Sequence, residues 1–472
     1  MNALLQHELK NLAAILDTAK DQSIAYLRDL NTAPTSNTQL PTAAPAQLPQ
    51  EGLGTFHTMA EFEQRLKPLM VASSGPRYWG FVTGGTTPAA IVGDWLTSTF
   101  DQNTQSTSGQ GGVSALIEQE TISLLLQLFQ LPPTFLGGFV TGATMSNFTC
   151  LAVARQWAGK QKGVDIAKEG VAPGIKILSA TPHSSSIKSL AMLGLGSKNY
   201  IAVTVEEGNR EAMDMRDLET KLAAHAGEPC IVISSGGTVN TVDFDNMKAI
   251  AALKEKYHFW WHIDAAFGAF AACSPQYRHL LAGWEAADSI TVDGHKWLNV
   301  PYDNAIFLVK EQYKHLQVET FQNSNAPYLG DPLENFTYLN FLPENSRRFR
   351  ALPAWFTLKA YGSEGYQHIV ENSIALSQLL GEKVNTSKEF ELLAPVRLNT
   401  VCFTLAGEKA SADHVKTFLT TLNNRGKVFM TPTVYKGKTG LRAALVNWRT
   451  TEEDVNLVWE ELQAVYQMIH AK

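Results

Sequence analysis

Cysteine is scarce in this 472-residue chain: Cys150, Cys230, Cys273 and Cys402 lie far apart and form no metal-ligand pair. Neither a disulfide framework nor a metal site fits that spacing, so reduced, buried thiols in an intracellular, cytoplasmic protein are the expectation. An excess of positive charge is also missing. The 39 Lys+Arg are outnumbered by 45 Asp+Glu, and no basic run occurs, which argues against a nucleic-acid partner. No long hydrophobic run survives unbroken. Between Glu120 and Arg155 there is no charge, but Pro132-Pro133 and Gly137-Gly138 divide the stretch into a helix and a strand. Each is too short to cross a bilayer. Charges scattered from Glu8 to Asp29 are unlike a secretory signal, and a soluble protein is expected.

What the chain does contain is enough length for two or three structural units. Residues 3–30 predict an amphipathic helix, with Leu4, Leu5, Leu9, Leu12, Ile15, Leu16 and Leu27 spaced for one face. Such a stripe must be covered, and a partner subunit would cover it. Residues 31–52 form a Pro-, Thr- and Ala-rich connector. The glycine- and aromatic-rich stretch 75–85 is of the kind that lines pockets. Short apolar runs at 175–179, 200–205, 230–234, 259–264, 288–292 and 305–309 predict buried parallel or mixed strands. Helical patterns intervene at 113–130, 146–159, 217–225 and 245–257, which makes a large α/β domain. A long helix (351–381), two or three strands and closing helices predict a smaller α+β domain.

Chemistry concentrates between Trp260 and Trp297. The strand Trp260-Trp261-His262-Ile263-Asp264 delivers a carboxylate at its end, and Ser289-Ile290-Thr291-Val292-Asp293-Gly294-His295-Lys296 delivers an amine after the next. Open α/β sheets place ligands at such strand ends. The pair suits pyridoxal phosphate (PLP): a lysine carries the aldehyde as a Schiff base, and an acid holds the pyridine nitrogen protonated. Upstream, Thr141-Gly142-Ala143-Thr144-Met145-Ser146-Asn147 turns from strand to helix with small residues, as an anion site requires. Thr181-Pro182-His183-Ser184-Ser185-Ser186 follows another strand, and His183 could stack on a planar ring. Each signal alone has an ordinary structural explanation. Their order within one domain is mechanically consistent.

The motifs Pro76-Arg77-Tyr78, His183-Ser184-Ser185, Ile263-Asp264-Ala265-Ala266, Asp293-Gly294-His295-Lys296-Trp297, Arg347-Arg348-Phe349-Arg350 and Leu441-Arg442 carry a resemblance. From about Gly75 to its C-terminus the chain resembles the group II PLP-dependent amino-acid decarboxylases, the family of aromatic-L-amino-acid, glutamate and cysteine-sulfinate decarboxylases. The resemblance implies fold type I, aspartate-aminotransferase-like: an N-terminal helical, dimerising segment (1–86), a large PLP-binding domain (87–362) and a small C-terminal domain (363–472). It implies a homodimer with active sites at the interface. By position, Lys296 matches the Schiff-base lysine and Asp264 the pyridinium partner. Ala266 and His183 would cover the two ring faces, Ala143 and Thr144 would bind the phosphate, and His295 would lie beside it. Arg442 falls where glutamate decarboxylases hold the substrate carboxylate. Tyr338, nine residues before Arg347, matches a mobile-loop tyrosine that protonates the substrate α-carbon, within a closing loop at about 320–345.

Two departures bear on function. Asp293 stands where many relatives have asparagine, and a carboxylate near a phosphate must turn away or be neutralised. Phe81 replaces a glutamine that reads the side-chain carboxylate in glutamate decarboxylases, which favours an apolar or aromatic substrate. Decarboxylation of an L-amino acid to its amine is therefore expected. The alternatives are an acidic substrate, oxidative conversion to an aldehyde, an aminotransferase, or a non-catalytic protein of the same fold.

Overall fold

Strand ends from five different strands converge on one edge of a seven-stranded sheet, and the fold is best understood from that edge. The structure is a computed structural model and describes residues 2–39, 46–107, 112–171, 173–322, 333 and 336–470. Much of the expected 320–345 loop lies outside the described residues, as do residues 40–45 of the connector.

The sheet runs in the order β1-β7-β6-β5-β4-β2-β3. Its strands are β1 (Phe135–Val140), β2 (Lys176–Ser179), β3 (Tyr200–Ala202), β4 (Cys230–Ser235), β5 (Phe259–Asp264), β6 (Ser289–Asp293) and β7 (Ala305–Lys310). From β3 across to β6 every pairing is parallel. The exception is β7, antiparallel to both β6 and β1. Its reversal has a simple cause. Only residues 294–304 join β6 to β7, too few for a crossover helix. That short return carries His295 and Lys296.

All six residues of β5 are buried, as a central strand covered on both faces requires. Trp260 and Trp261 point to opposite faces, and each indole N–H finds a serine: Ser289 Oγ at 3.0 Å and Ser234 Oγ at 2.7 Å. Large apolar area is thus buried without stranding a polar atom.

A second sheet, wholly antiparallel, has the order β10-β11-β9-β8, with β8 (Phe390–Leu392), β9 (Thr400–Leu405), β10 (Thr431–Tyr435) and β11 (Lys438–Ala444). Four strands stand where two or three were expected. The helix Ala351–Thr386 leads into this part and is broken at Gly362, whose φ of 60° suits glycine.

The N-terminal helix is also interrupted. Ala3–Lys10 and Leu12–Asp29 are separate helices, because Asn11 leaves helical geometry and its Nδ2 donates to His7 O at 2.8 Å. Neither helix buries a residue, and Leu5, Leu9 and Leu16 are 59%, 64% and 58% exposed. Among the described residues no helix is long and apolar enough to cross a membrane. The four cysteines are free and buried.

Candidate active site

The carboxyl ends of β1, β2, β4, β5 and β6 lead into the stretches that carry Gly142, His183, Gly237, Ala266 and Lys296. A cavity of 660 Å³ opens there. Phe81, His183, Asp264, Ala266, Lys296 and Arg442 all line it. Residues separated by up to 361 positions in sequence thus share one space.

Asp264 sits at the centre of a hydrogen-bond network whose direction is forced. Trp260 Nε1–H can only donate, and it donates to Ser289 Oγ. Ser289 then donates to His262 Nδ1 at 2.9 Å, and His262 Nε2–H to Asn147 Oδ1 at 2.8 Å. Asn147 Nδ2 has two hydrogens: one goes to Asp264 Oδ2 at 3.0 Å, the other to Ser185 Oγ at 3.1 Å. Ser185 in turn meets His183 Nδ1 at 2.7 Å. Ser186 Oγ adds a second donor to Asp264 Oδ2, at 3.2 Å. Two side-chain donors thus converge on the carboxylate, while the branch through Ser185 leads away to His183. Among the described residues Asp264 Oδ1 receives only the Ala266 N–H, at 3.3 Å, and Asp264 lines the cavity.

His183 and His262 are both held neutral by burial, which lowers their proton affinity, His262 to about 4. The stability consequence has a definite sign. Below pH 6.5 the unfolded chain protonates this histidine while the folded one resists, so its contribution falls as pH drops from 6.5 to 4. His262→Gln lacks this dependence. The stability advantage of wild type over that variant is expected to shrink by about 3 kcal/mol across the window, read by urea titration at each pH. A gap independent of pH would mean His262 is not buried neutral.

Lys296 Nζ lies 2.8 Å from Asp293 Oδ2, and His295 Nε2 lies 3.6 Å from Asp293 Oδ1. The unusual carboxylate is thus turned to the lysine and neutralised by it. Backbone packing fixes this loop. Gly84 N donates to His295 O, and a Cβ at Gly84 would fall 1.6 Å from Lys296 O, so only glycine fits.

Helix Ala143–Gln161 begins directly after β1, with Gly142 as an N-cap that offers no side-chain acceptor. The amides of Ala143 and Thr144 meet no acceptor among the described residues and can serve an anion, whereas Met145 N–H already donates to Gly142 O at 2.9 Å. A Cβ at Gly142 would stand 3.5 Å from His295 Cε1, which places His295 beside this turn. Amides for a phosphate, a carboxylate for a ring N–H and an amine for an aldehyde are therefore present together. The donor set fits PLP.

Two expectations need correction. Tyr338 does not face the cavity: it is fully buried, its hydroxyl donates to Gly137 O at 3.2 Å, and Phe336 packs edge-on against its ring. Arg347 stacks on the same ring at 4.5 Å. Tyr338→Phe is accordingly expected to cost about 1 kcal/mol of stability and to leave the ratio of amine to aldehyde unchanged, measured by product analysis. Trp79 is a core residue of the second sheet, and Tyr78 stacks on Phe429 at 4.7 Å. Of that stretch only Phe81 and Val82 line the cavity, held at φ of 57° and 59°, a strained conformation for both. Arg347 of the Arg-Arg-Phe-Arg motif pairs with Glu118 at 2.6 Å, away from the cavity lining.

Sequence reasoning gave no role to Asn147, Ser186, His262 or Glu211. His262 was detectable, since it lies two residues before Asp264 and so on the same strand face. Glu211 lies in no motif.

Comparison with known proteins agrees with this geometry. A family model described as the pyridoxal-dependent decarboxylase conserved domain matches residues 37–406. The chain is 27% identical to an aromatic-L-amino-acid decarboxylase of Bacillus atrophaeus, covering 99% of this chain and 98% of that one. It is 26% identical to a 3,4-dihydroxyphenylacetaldehyde synthase of Aedes aegypti, covering 89% and 82%. Its fold is that of Oryza sativa TDC solved with PLP and tryptamine, with a TM-score of 0.87, 23% identity and 99% of both chains covered.

Proposed function

The chain belongs to the pyridoxal-dependent decarboxylase family and uses pyridoxal 5′-phosphate, and from that premise we propose that it converts an aromatic L-amino acid to its amine and CO₂. The observation that carries the reading is the cavity itself. Lys296 and Asp264 face it from the loop after β6 and the end of β5, and Phe81, Val82 and Phe267 give it an apolar wall. Relatives named as aromatic-L-amino-acid decarboxylases support the substrate class.

When bound, the cofactor supplies an electron sink for the pair left on the α-carbon as CO₂ departs. The protein's part is binding, orientation and charge. Lys296 would hold the cofactor's aldehyde covalently. Asp264, fixed by its donors, would accept from the ring N–H. The Ala143 and Thr144 N–H groups would hold the phosphate with His295 alongside, and Ala266 and His183 would enclose the ring. Arg442 offers a guanidinium to a substrate carboxylate, and Phe81 packs against the side chain. With Tyr338 occupied elsewhere, His183 is the group assigned to deliver a proton to the α-carbon, from the imidazolium form that burial disfavours at rest.

A second reading, oxidative conversion to an aldehyde, is kept because Tyr338, the residue expected to protonate the α-carbon, lies outside the cavity lining. One relative is an aldehyde synthase. In that outcome oxygen and water are consumed, and aldehyde, ammonia and peroxide accompany CO₂. Purified protein given PLP and a panel of aromatic, acidic and basic L-amino acids decides. CO₂ with equimolar amine from an aromatic substrate is expected. Aldehyde with peroxide would establish the second reading, and turnover of glutamate or aspartate alone would overturn the aromatic assignment.

The assembly and compartment are part of the same proposal. The exposed leucines of Ala3–Lys10 and Leu12–Asp29 support a homodimer that covers them. Four unpaired, buried thiols suit the reducing cytoplasm.

A further inference from the structure

Glu211 takes no part in the chemistry above, yet it lines the same cavity as Lys296, Asp264 and Arg442. Its two oxygens are treated differently. Oε2 accepts from Thr238 Oγ1 at 2.5 Å, Thr241 Oγ1 at 2.6 Å and Thr241 N at 3.1 Å. Three donors on one oxygen fix the plane of the carboxylate. Oε1 has one long contact, 3.4 Å from Asn240 Nδ2, at the weak limit of hydrogen bonding.

Arg442 faces the same space. Its Nη1 donates to Val239 O at 3.1 Å, and its Nε has no partner. Among the described residues Glu211 and Arg442 form no ion pair. An acid and a base that share a cavity without pairing leave both available to a third molecule.

We propose that Glu211 is a specificity residue whose Oε1 accepts a hydrogen bond from a donor on the substrate's ring, such as a phenol O–H or an indole N–H. This rests on the aromatic reading above and narrows it. A ring without a donor leaves a half-buried carboxylate oxygen unpaired, and an acidic side chain meets like charge. A cationic side chain would share the cavity with the Arg442 guanidinium.

The bland alternative is that Glu211 only caps the turn 238–241. Glu211→Gln separates the two. The amide oxygen can keep the three donors of Oε2, while its NH₂ replaces Oε1 and turns an acceptor into a donor.

The test measures kcat/KM of wild-type and Glu211→Gln holoenzyme for L-tyrosine, L-tryptophan, L-phenylalanine and L-glutamate, by CO₂ release, with Tm of each protein. Wild type is expected to prefer tyrosine over phenylalanine by about 10- to 100-fold. In the variant that ratio is expected to fall below about threefold. Equal use of tyrosine and phenylalanine by wild type overturns the proposal without any variant, and leaves the decarboxylase reading intact. A parallel loss for all substrates with a lower Tm reduces Glu211 to a turn cap. Turnover of glutamate with none of the aromatic substrates overturns the aromatic reading and this inference with it.

Discussion

Asp264→Asn is expected to lower kcat/KM for decarboxylation about 1,000-fold while the protein stays folded and the cofactor stays attached through Lys296. The reason lies in what surrounds the carboxylate. Asn147 Nδ2 and Ser186 Oγ both donate to Oδ2, and Asn147 cannot flip, because its Oδ1 already accepts from His262. An amide at position 264 must therefore place its carbonyl oxygen there. Its NH₂ is left pointing at the Ala266 N–H and into the cavity, where a ring N–H would be met by another donor. The ring nitrogen would lose its proton and with it most of its capacity to take up charge. Single-turnover measurements beside an absorbance spectrum of the bound cofactor check this. A loss below tenfold with the spectrum unchanged would show that Asp264 has a structural role alone.

The parts of this site that were legible in the sequence are those carried by strand ends. Phe259–Asp264 and Ser289–Asp293 are short, β-rich and buried on both faces, so their strands and their terminal residues could be read directly, and Lys296 follows from the second. The turn at Gly142 was legible for the same reason. Tyr338 was placed by counting back from Arg347 across a loop, and a count fixes no direction. Its neighbours Phe336, Phe341 and Leu342 already form an apolar cluster, which is the environment the structure shows. Trp79 could not be assigned from sequence because the buried cluster it joins, with Phe403 and Leu441, is built from residues more than 300 positions away. Glu211 escaped notice because its role depends on which of its two oxygens is occupied, and sequence contains no such information. The break at Asn11 depends on a local side-chain bond outcompeting a weakly buried helix.

Arg347→Met is expected to destabilise the protein by about 3–5 kcal/mol, the effect of leaving one partner of a buried ion pair alone. Both side chains are 0% exposed. Arg347 Nη2 also donates to Phe139 O at 2.7 Å and Nη1 to Thr104 O at 3.1 Å, while Glu118 Oε1 accepts from Phe139 N at 2.8 Å. The pair therefore ties β1 to helix Ser114–Leu128 and to the segment before it. Since β1 ends at the Gly142 turn, loosening it reaches the phosphate end of the cavity, and weaker cofactor retention is expected alongside the stability loss. The pair is nevertheless incompletely satisfied: Arg347 Nε and Glu118 Oε2 are buried without partners. Replacing both residues removes two desolvated charges together, so Glu118→Leu with Arg347→Met is expected to lie within about 1 kcal/mol of wild type. Denaturant unfolding of the four proteins closes the double-mutant cycle. If the two single losses simply add, the motif acts through packing of its separate side chains, and the ion pair is not what holds β1 in place.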